Sequence, residues 1–338
     1  MTTVVLGWDG LDHRLAEAFD LTEAFGEHNR ELSTFDNPAL EKPHTFELWP
    51  SIITGVEPDE HGIHAASEGG GVAWENPAIA FAARASRSFL PESVRTKVGK
   101  ALRSGGAGLD FKSADYYREA GVETVFDGRR SRAIAVPNYR VERDDRLGFV
   151  VDRGADLGEF LDIEDGEGAE GDYSARVPLP ELEERLVSEA TRKLGAVRAC
   201  IEREYDLVFV WLGYLDTVGH LAPTVDETGW QERAYRLAAR LTDEVREELS
   251  GEDVLLCVSD HGLRDGYHTH DAYVGASSEE AIAGVESVLD VREGIERVTD
   301  RHEPTTRPEV RPAYRCESEV ERRDARDVRD QLEDMGYL

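Results

Sequence analysis

Cysteine is nearly missing from this 338-residue chain, which has only Cys200, Cys257 and Cys316. An odd number at wide spacing argues against a disulfide framework, and no CxxC pair is present to make a cysteine metal site. Lysine is scarce as well. Lys42, Lys97, Lys100, Lys112 and Lys193 are the only five, against 34 arginines. Acidic residues outnumber basic ones by 70 to 39, a formal charge of −31. Without a net basic face the chain cannot collect phosphate-backbone contacts, so no nucleic acid binding is expected. No apolar run approaches the ~20 residues of a membrane span. Met1 leads into TTVVLGWDG without the basic and apolar regions of a secretion signal. These absences predict a soluble, cytoplasmic protein. The acid excess with little lysine further predicts a salt-adapted one. At molar salt the Debye length falls to roughly 3 Å, which screens a self-repulsion that would loosen the compact state in dilute buffer.

What is present is enough for a core, since 40% of the residues are hydrophobic. Short apolar runs at 3–8, 133–136, 206–212 and 253–258 read as strands of a sheet covered on both faces. Between them, 179–203 places Leu182, Leu186, Ala190, Leu194, Val197 and Ile201 near a 3.6-residue period, and 230–249 does the same with Leu237, Leu241, Val245 and Leu249. Alternating β and α predicts an α/β fold with a mainly parallel central sheet, as one domain over 1–338. Residues 65–118, with Gly-rich pieces at 68–72 and 104–109, read as an inserted cap. Residues 151–177 read as an acidic, solvated loop, and 320–338 as a C-terminal amphipathic helix docked on the core through Val320, Val328, Leu332 and Met335.

In open α/β sheets ligands bind beyond the carboxyl ends of the strands. The first run ends in Asp9-Gly10. The third ends in Gly213-Tyr214-Leu215-Asp216, with His220 four residues on. The fourth ends in Ser259-Asp260-His261-Gly262, with His268 and His270 close behind. Taken singly, each has an ordinary role as a cap, a turn residue or a surface pair. Taken together, three strands deliver carboxylates and imidazoles to one edge, a donor set that suits zinc, manganese or iron rather than calcium. Thr45, after a proline and before a short helical pattern, would sit at a helix N-terminus, where free N–H groups favour a phosphoryl anion. His61 reads as structural.

The motifs resemble those of the alkaline phosphatase superfamily, on its type I phosphodiesterase/nucleotide pyrophosphatase branch. The resemblance rests on Asp9 after the first strand and on T-x-x-x-W-x-S-x-x-T-G-x-x-P-x-x-H-G-I from Thr45 to Ile63. It continues through Asp216-x-x-x-His220, the S-D-H-G at 259–262 and His268-Thr269. It implies an alkaline-phosphatase-like three-layer sandwich with two divalent metal ions, zinc first, with manganese or iron as alternatives. One ion would take Asp216, His220 and His268, and the other Asp9, Asp260, His261 and the Thr45 oxygen. His270 is the alternative to His268. The implied activity is that of a phosphodiesterase or nucleotide pyrophosphatase working through a phospho-threonine at Thr45. A phosphomonoesterase, a phosphonate hydrolase or a non-catalytic anion-binding relative are the alternatives. The branch also carries an Asn about twenty residues past its nucleophile. This chain has His64-Ala65-Ala66-Ser67 there, which leaves the phosphate-oxygen donor to Ser67, a backbone N–H or the insertion. Inside the insertion, 83–104 holds six basic residues, among them Arg95, Lys97 and Lys100, against the single acid Glu92. That patch would draw in a small anionic phosphate ester or touch an anionic surface.

Overall fold

The computed structural model of the chain describes residues 1–38, 40–64, 111–149, 161–163, 173–175, 177–225, 227–302, 307–315 and 324–337. Its strands are β1 (Thr3–Trp8), β2 (His28–Leu32), β3 (Ser131–Ile134), β4 (Leu161–Ile163), β5 (Tyr173–Ala175), β6 (Leu207–Leu212), β7 (Val254–Val258), β8 (Gly262–Arg264), β9 (Tyr267–Thr269) and β10 (Ala272–Ala276). Six of them form the central sheet in the order β2-β10-β7-β1-β6-β3. β7, β1, β6 and β3 run parallel, while β10 is antiparallel to both β7 and β2. This is the mixed α/β fold with a mainly parallel sheet that the alternating pattern predicts.

Every residue of β1, β6 and β7 is buried, as expected when both faces of a parallel sheet are covered. Two tryptophans show what does the covering. Side chains of successive strand residues point to opposite faces. Trp8 donates its indole N–H to Thr242 on the helix Trp230–Glu247. Next to it, Gly7 leaves room on the other face for Trp49 of the helix Thr45–Thr54, whose ring also meets Phe209 edge-on. The sheet is thus the middle of three layers. The helix Leu179–Ile201 buries the stripe that the sequence marks, including Leu182, Leu186 and Leu194, and Trp230–Glu247 buries Leu241 and Val245, while Leu237 and Leu249, the latter past the helix end, are half-buried.

Some expectations shift. β3 begins at Ser131, two residues before the apolar run, because its N-terminal residues pair with β6 through backbone bonds that need no apolar side chain. Within the acidic stretch 151–177, β4 and β5 form a two-stranded antiparallel unit. Leu161, Ile163, Tyr173 and Ala175 alternate with polar residues at the strand period. At the C-terminus the helix spans Ala325–Asp334 but buries none of its residues, and Val328 and Met335 are exposed, so it does not dock on the core. Two or three apolar side chains among charged ones offer too little area to hold a ten-residue helix down. Of the cap at 65–118, residues 65–110 lie outside the described residues. So do Ser67, Arg95, Lys97, Lys100 and the basic patch 83–104. The described remainder leads into the helix Ala114–Ala120. Among the described residues no helix is long and apolar enough to cross a membrane.

Candidate metal centre

Parallel strands that end together bring together whatever follows them. Asp9 follows β1, and its N–H is tied to the carbonyl of Leu212 at the end of β6 (3.0 Å). Gly10 then turns the chain at φ +73, where a Cβ would come within 2.9 Å of the Asp216 Cα. A side chain there would suffer both backbone strain and a clash, so glycine lets the two acidic loops close on each other. After β6 the helix Tyr214–Leu221 carries Asp216 and His220 one turn apart on one side. After β7, Ser259 accepts the N–H of Tyr273 and donates to the carbonyl of Leu11 (2.8 and 2.7 Å), which pins the turn bearing Asp260 and His261. The β8–β9 pair then returns His268 to the same edge.

The cluster is tight. His220 and His268 face each other Nε2 to Nε2 at 3.0 Å, and Asp216 Oδ1 lies 3.5 Å from the first and 3.7 Å from the second. His261 Nε2 stands 3.8 Å from Asp216, 3.6 Å from Asp9 and 3.4 Å from Asp260, and its ring stacks on His268. Two groups of donors result, Asp216 with His261 and His268, and Asp9 with Asp260 and His261. In each, the ligand atoms lie within 4.8 Å of one another. The resemblance puts His261 only in the group of Asp9, Asp260 and Thr45, whereas in the fold it reaches both groups.

All three imidazoles are oriented alike. Nδ1 of His220 meets the carbonyl of Gly266 at 3.0 Å, Nδ1 of His261 that of Gly262 at 3.1 Å, and Nδ1 of His268 that of Pro43 at 2.7 Å. A carbonyl oxygen only accepts, so each Nδ1 carries the proton and each Nε2 turns a lone pair into the cluster. Two lone pairs 3.0 Å apart repel unless a cation or a proton lies between them. Around a cation with ligand bonds of about 2.1 Å, tetrahedral donors sit about 3.4 Å apart. The observed spacings bracket that value. Asp9, Asp216 and Asp260 are all fully buried. Burying three carboxylates is costly without accompanying positive charge, so the donor chemistry fits divalent cations.

Thr45 is buried at the start of the helix Thr45–Thr54, with Oγ1 3.1 Å from His261 Nε2 and 3.5 Å from Asp9 Oδ1. His44 caps this helix, its Nδ1 accepting the N–H of Phe46. Pro50, inside the helix, has no N–H to give the carbonyl of Phe46. Asn138 Nδ2 donates to that carbonyl instead, at 2.8 Å. The fold therefore gathers Asp9, Thr45, Asp216, His220, Asp260, His261 and His268. His270 stays outside, half-exposed and paired with Asp36. His61 is also outside, buried against Ser51 Oγ at 3.0 Å, and burial pushes its pKa down to about 4. Asn138 and Trp211, whose indole N–H meets Asp9 at 2.8 Å, do not stand out in the sequence. Each acts across a long stretch of chain, where no local pattern marks it.

A family model described as type I phosphodiesterase/nucleotide pyrophosphatase matches residues 3–336. No curated protein matches the chain in sequence. Similar solved structures include the alkaline phosphatase from the Antarctic bacterium TAB5. It is 11% identical, the match covers 89% of this chain and 98% of that chain, and the TM-score is 0.41. Phosphonoacetate hydrolase from Sinorhizobium meliloti 1021 is 14% identical over 78% of this chain and 56% of that chain, with a TM-score of 0.35. Leishmania mexicana phosphoglycerate mutase is 11% identical over 91% and 97%, with a TM-score of 0.42. Likenesses this distant carry no chemistry across.

Proposed function

The chain belongs to the type I phosphodiesterase/nucleotide pyrophosphatase family, and from that premise we propose that it is a metal-dependent hydrolase of small phosphate esters, with Thr45 as its nucleophile. The observation that carries the reading is the position of Thr45 Oγ1, at a helix N-terminus and 3.1 Å from the imidazole that both donor groups share. Asp216, His220 and His268 would hold one divalent cation, and Asp9, Asp260, His261 and Thr45 the other. Zinc suits this donor set best, with manganese or iron next. When bound, the cations supply the positive charge that acidifies a hydroxyl and offsets the charge of the phosphoryl oxygens.

The chain's own residues do the rest. Thr45 gives up its hydroxyl proton and supplies the attacking oxygen, a new O–P bond forms, and the ester P–O bond on the opposite side breaks as the leaving oxygen takes a proton and departs as an alcohol. Water then attacks the same phosphorus, the Thr45 O–P bond breaks, Thr45 regains a proton, and phosphate leaves, or a phosphate monoester when the substrate is a diester. The positive end of the dipole of the helix Thr45–Thr54 lies at Thr45 and would favour the negative charge of a phosphoryl group held there. The Asn138 bond to Phe46 supports the first turn of that helix, so the nucleophile keeps its place despite Pro50.

The test is Thr45→Ala, assayed with p-nitrophenyl phosphate and bis-p-nitrophenyl phosphate in molar KCl. Turnover should fall by at least about 10³-fold, while elemental analysis still finds bound metal. Preference for the diester supports the phosphodiesterase form, and preference for the monoester the phosphatase form. Near-normal activity of the variant would overturn Thr45 as nucleophile. A wild-type chain that binds metal but turns over neither ester would favour a binding protein.

A further inference from the structure

The two oxygens of Asp9 have different surroundings. Oδ1 faces the reacting side, 3.5 Å from Thr45 Oγ1 and 3.6 Å from His261 Nε2. Oδ2 accepts two indole N–H groups, from Trp211 at 2.8 Å and from Trp49 at 3.1 Å. An indole N–H only donates, so both bonds engage the far oxygen of Asp9 while Oδ1 faces the cluster. The donors come from separate elements, Trp211 from β6 and Trp49 from the helix Thr45–Thr54, so the clamp ties the nucleophile helix to the sheet through Asp9.

The seats of both rings are shaped by glycine. A Cβ on Gly7 would lie 2.6 Å from Cη2 of Trp49, and a Cβ on Gly213 would lie 2.6 Å from Cη2 of Trp211. Behind Trp211 stands Lys193, one of the chain's five lysines. Its Nζ lies 4.4 Å from the centre of the indole, and its side chain is only 2% exposed, paired with Glu189 at 2.5 Å. Burying an ammonium is costly, and over an indole it is attracted by the ring and draws electron density from it, which strengthens the N–H as a donor.

We propose that Trp49 and Trp211, with Lys193 behind the second, are positioning residues that fix the orientation of Asp9, with Oδ1 presented as the ligand atom for one of the two cations before that cation arrives. The inference rests on the metal-dependent reading of the site given above. Hydrogen bonds to a ligand's outer atom hold its orientation, and their loss commonly weakens metal binding.

Zinc affinity of the metal-free, full-length chain tests this without any assay of activity. Zinc is titrated by calorimetry against a competing chelator into the wild type and into Trp211→Phe, Trp49→Phe and Lys193→Met. Phenylalanine keeps an aromatic ring but removes the N–H, and methionine keeps the stem but removes the charge. Each Trp→Phe variant should weaken one zinc site by about 10–100-fold and leave the other nearly unchanged. Lys193→Met should weaken the same site by about threefold. Loss confined to one site is what a merely structural role would not produce. Equal weakening of both sites, or no change in either, overturns the clamp. A wild type that binds two zinc ions with variants that behave like it removes the clamp and leaves the hydrolase reading standing. A wild type that binds no zinc overturns both.

Discussion

The two ends of the central sheet treat acidic residues in opposite ways. Asp206 lies just before β6 and Asp253 just before β7, at the amino ends of the strands. Asp216 and Asp260 lie beyond the carboxyl ends of the same two strands. At the amino end the fold neutralises its acids internally. Asp206 accepts from Arg130 through backbone N–H and guanidinium (2.7 and 2.8 Å) and from His302 (2.7 Å). Asp253 accepts from Arg311 and from the N–H of Thr2, each at 2.6 Å. Burial pushes both carboxyls up, but these hydrogen bonds outweigh it and hold each below its ordinary value. At the carboxyl end Asp216, Asp260 and Asp9 meet imidazoles whose lone pairs face inward. The first arrangement is a set of completed ion pairs that fastens the chain. The second gathers negative charge and imidazole nitrogens, a pattern that a cation would complete.

The largest effect is expected at the carboxyl end. Asp260→Asn should lower turnover of the better p-nitrophenyl ester by about 10³-fold, in line with loss of a metal ligand and its charge stabilisation. The thermal midpoint of its metal-free form should equal or exceed that of the wild type, because one buried charge is gone. A variant that keeps its activity and loses stability would erase the distinction between the two ends. At the amino end the signs reverse. Asp206→Asn should cost about 3 kcal/mol in denaturant unfolding, the penalty of stranding a buried partner, while kcat stays within about twofold because no reacting group is touched. A large fall in kcat with unchanged stability would contradict it.

A smaller effect sharpens the contrast. His61 is buried against Ser51 of the helix Thr45–Thr54 but outside the cluster, and its folded pKa of about 4 lies below the 6.5 of an ordinary histidine. Burial is the main cause, with the nearby His64 adding to it. The unfolded chain therefore takes up this proton first as pH drops. The associated stability is complete above pH 6.5 and is lost progressively as pH falls toward 4. Between pH 7.5 and 5.5 the loss should be about 1 kcal/mol. His61→Gln, which keeps an N–H for Ser51, should flatten that part of the unfolding profile. A profile unchanged in the variant would mean that His61 does not contribute.

Much of this was legible in the sequence because strand ends are local signals. β1 followed by Asp9, β6 followed by Asp216 and His220, and β7 followed by Asp260-His261 each need only a short apolar run with polar residues behind it. Choosing His268 over His270 needed more. They are two residues apart, and only the β8–β9 pairing turns one inward and the other toward Asp36. Trp211 reaches Asp9 across 202 positions and Asn138 reaches Phe46 across 92, separations at which no local pattern operates. The C-terminal segment shows the reverse case. Its apolar positions form an amphipathic pattern, but a stripe that thin among charges does not bury.

Residue type and short spacing are enough to specify the apolar strands β1, β3, β6 and β7, the two long helices, the acidic and histidine-bearing strand ends, Thr45 at the head of its helix and the family motifs. Packing adds that three imidazoles turn Nε2 into the same cluster, that His261 reaches both donor groups, and that two indoles hold the far oxygen of Asp9. Those features depend on the register of β1 between β6 and β7 and on the close approaches allowed at Gly7, Gly10 and Gly213. They arise when distant segments are packed against one another, which no single stretch of chain can specify.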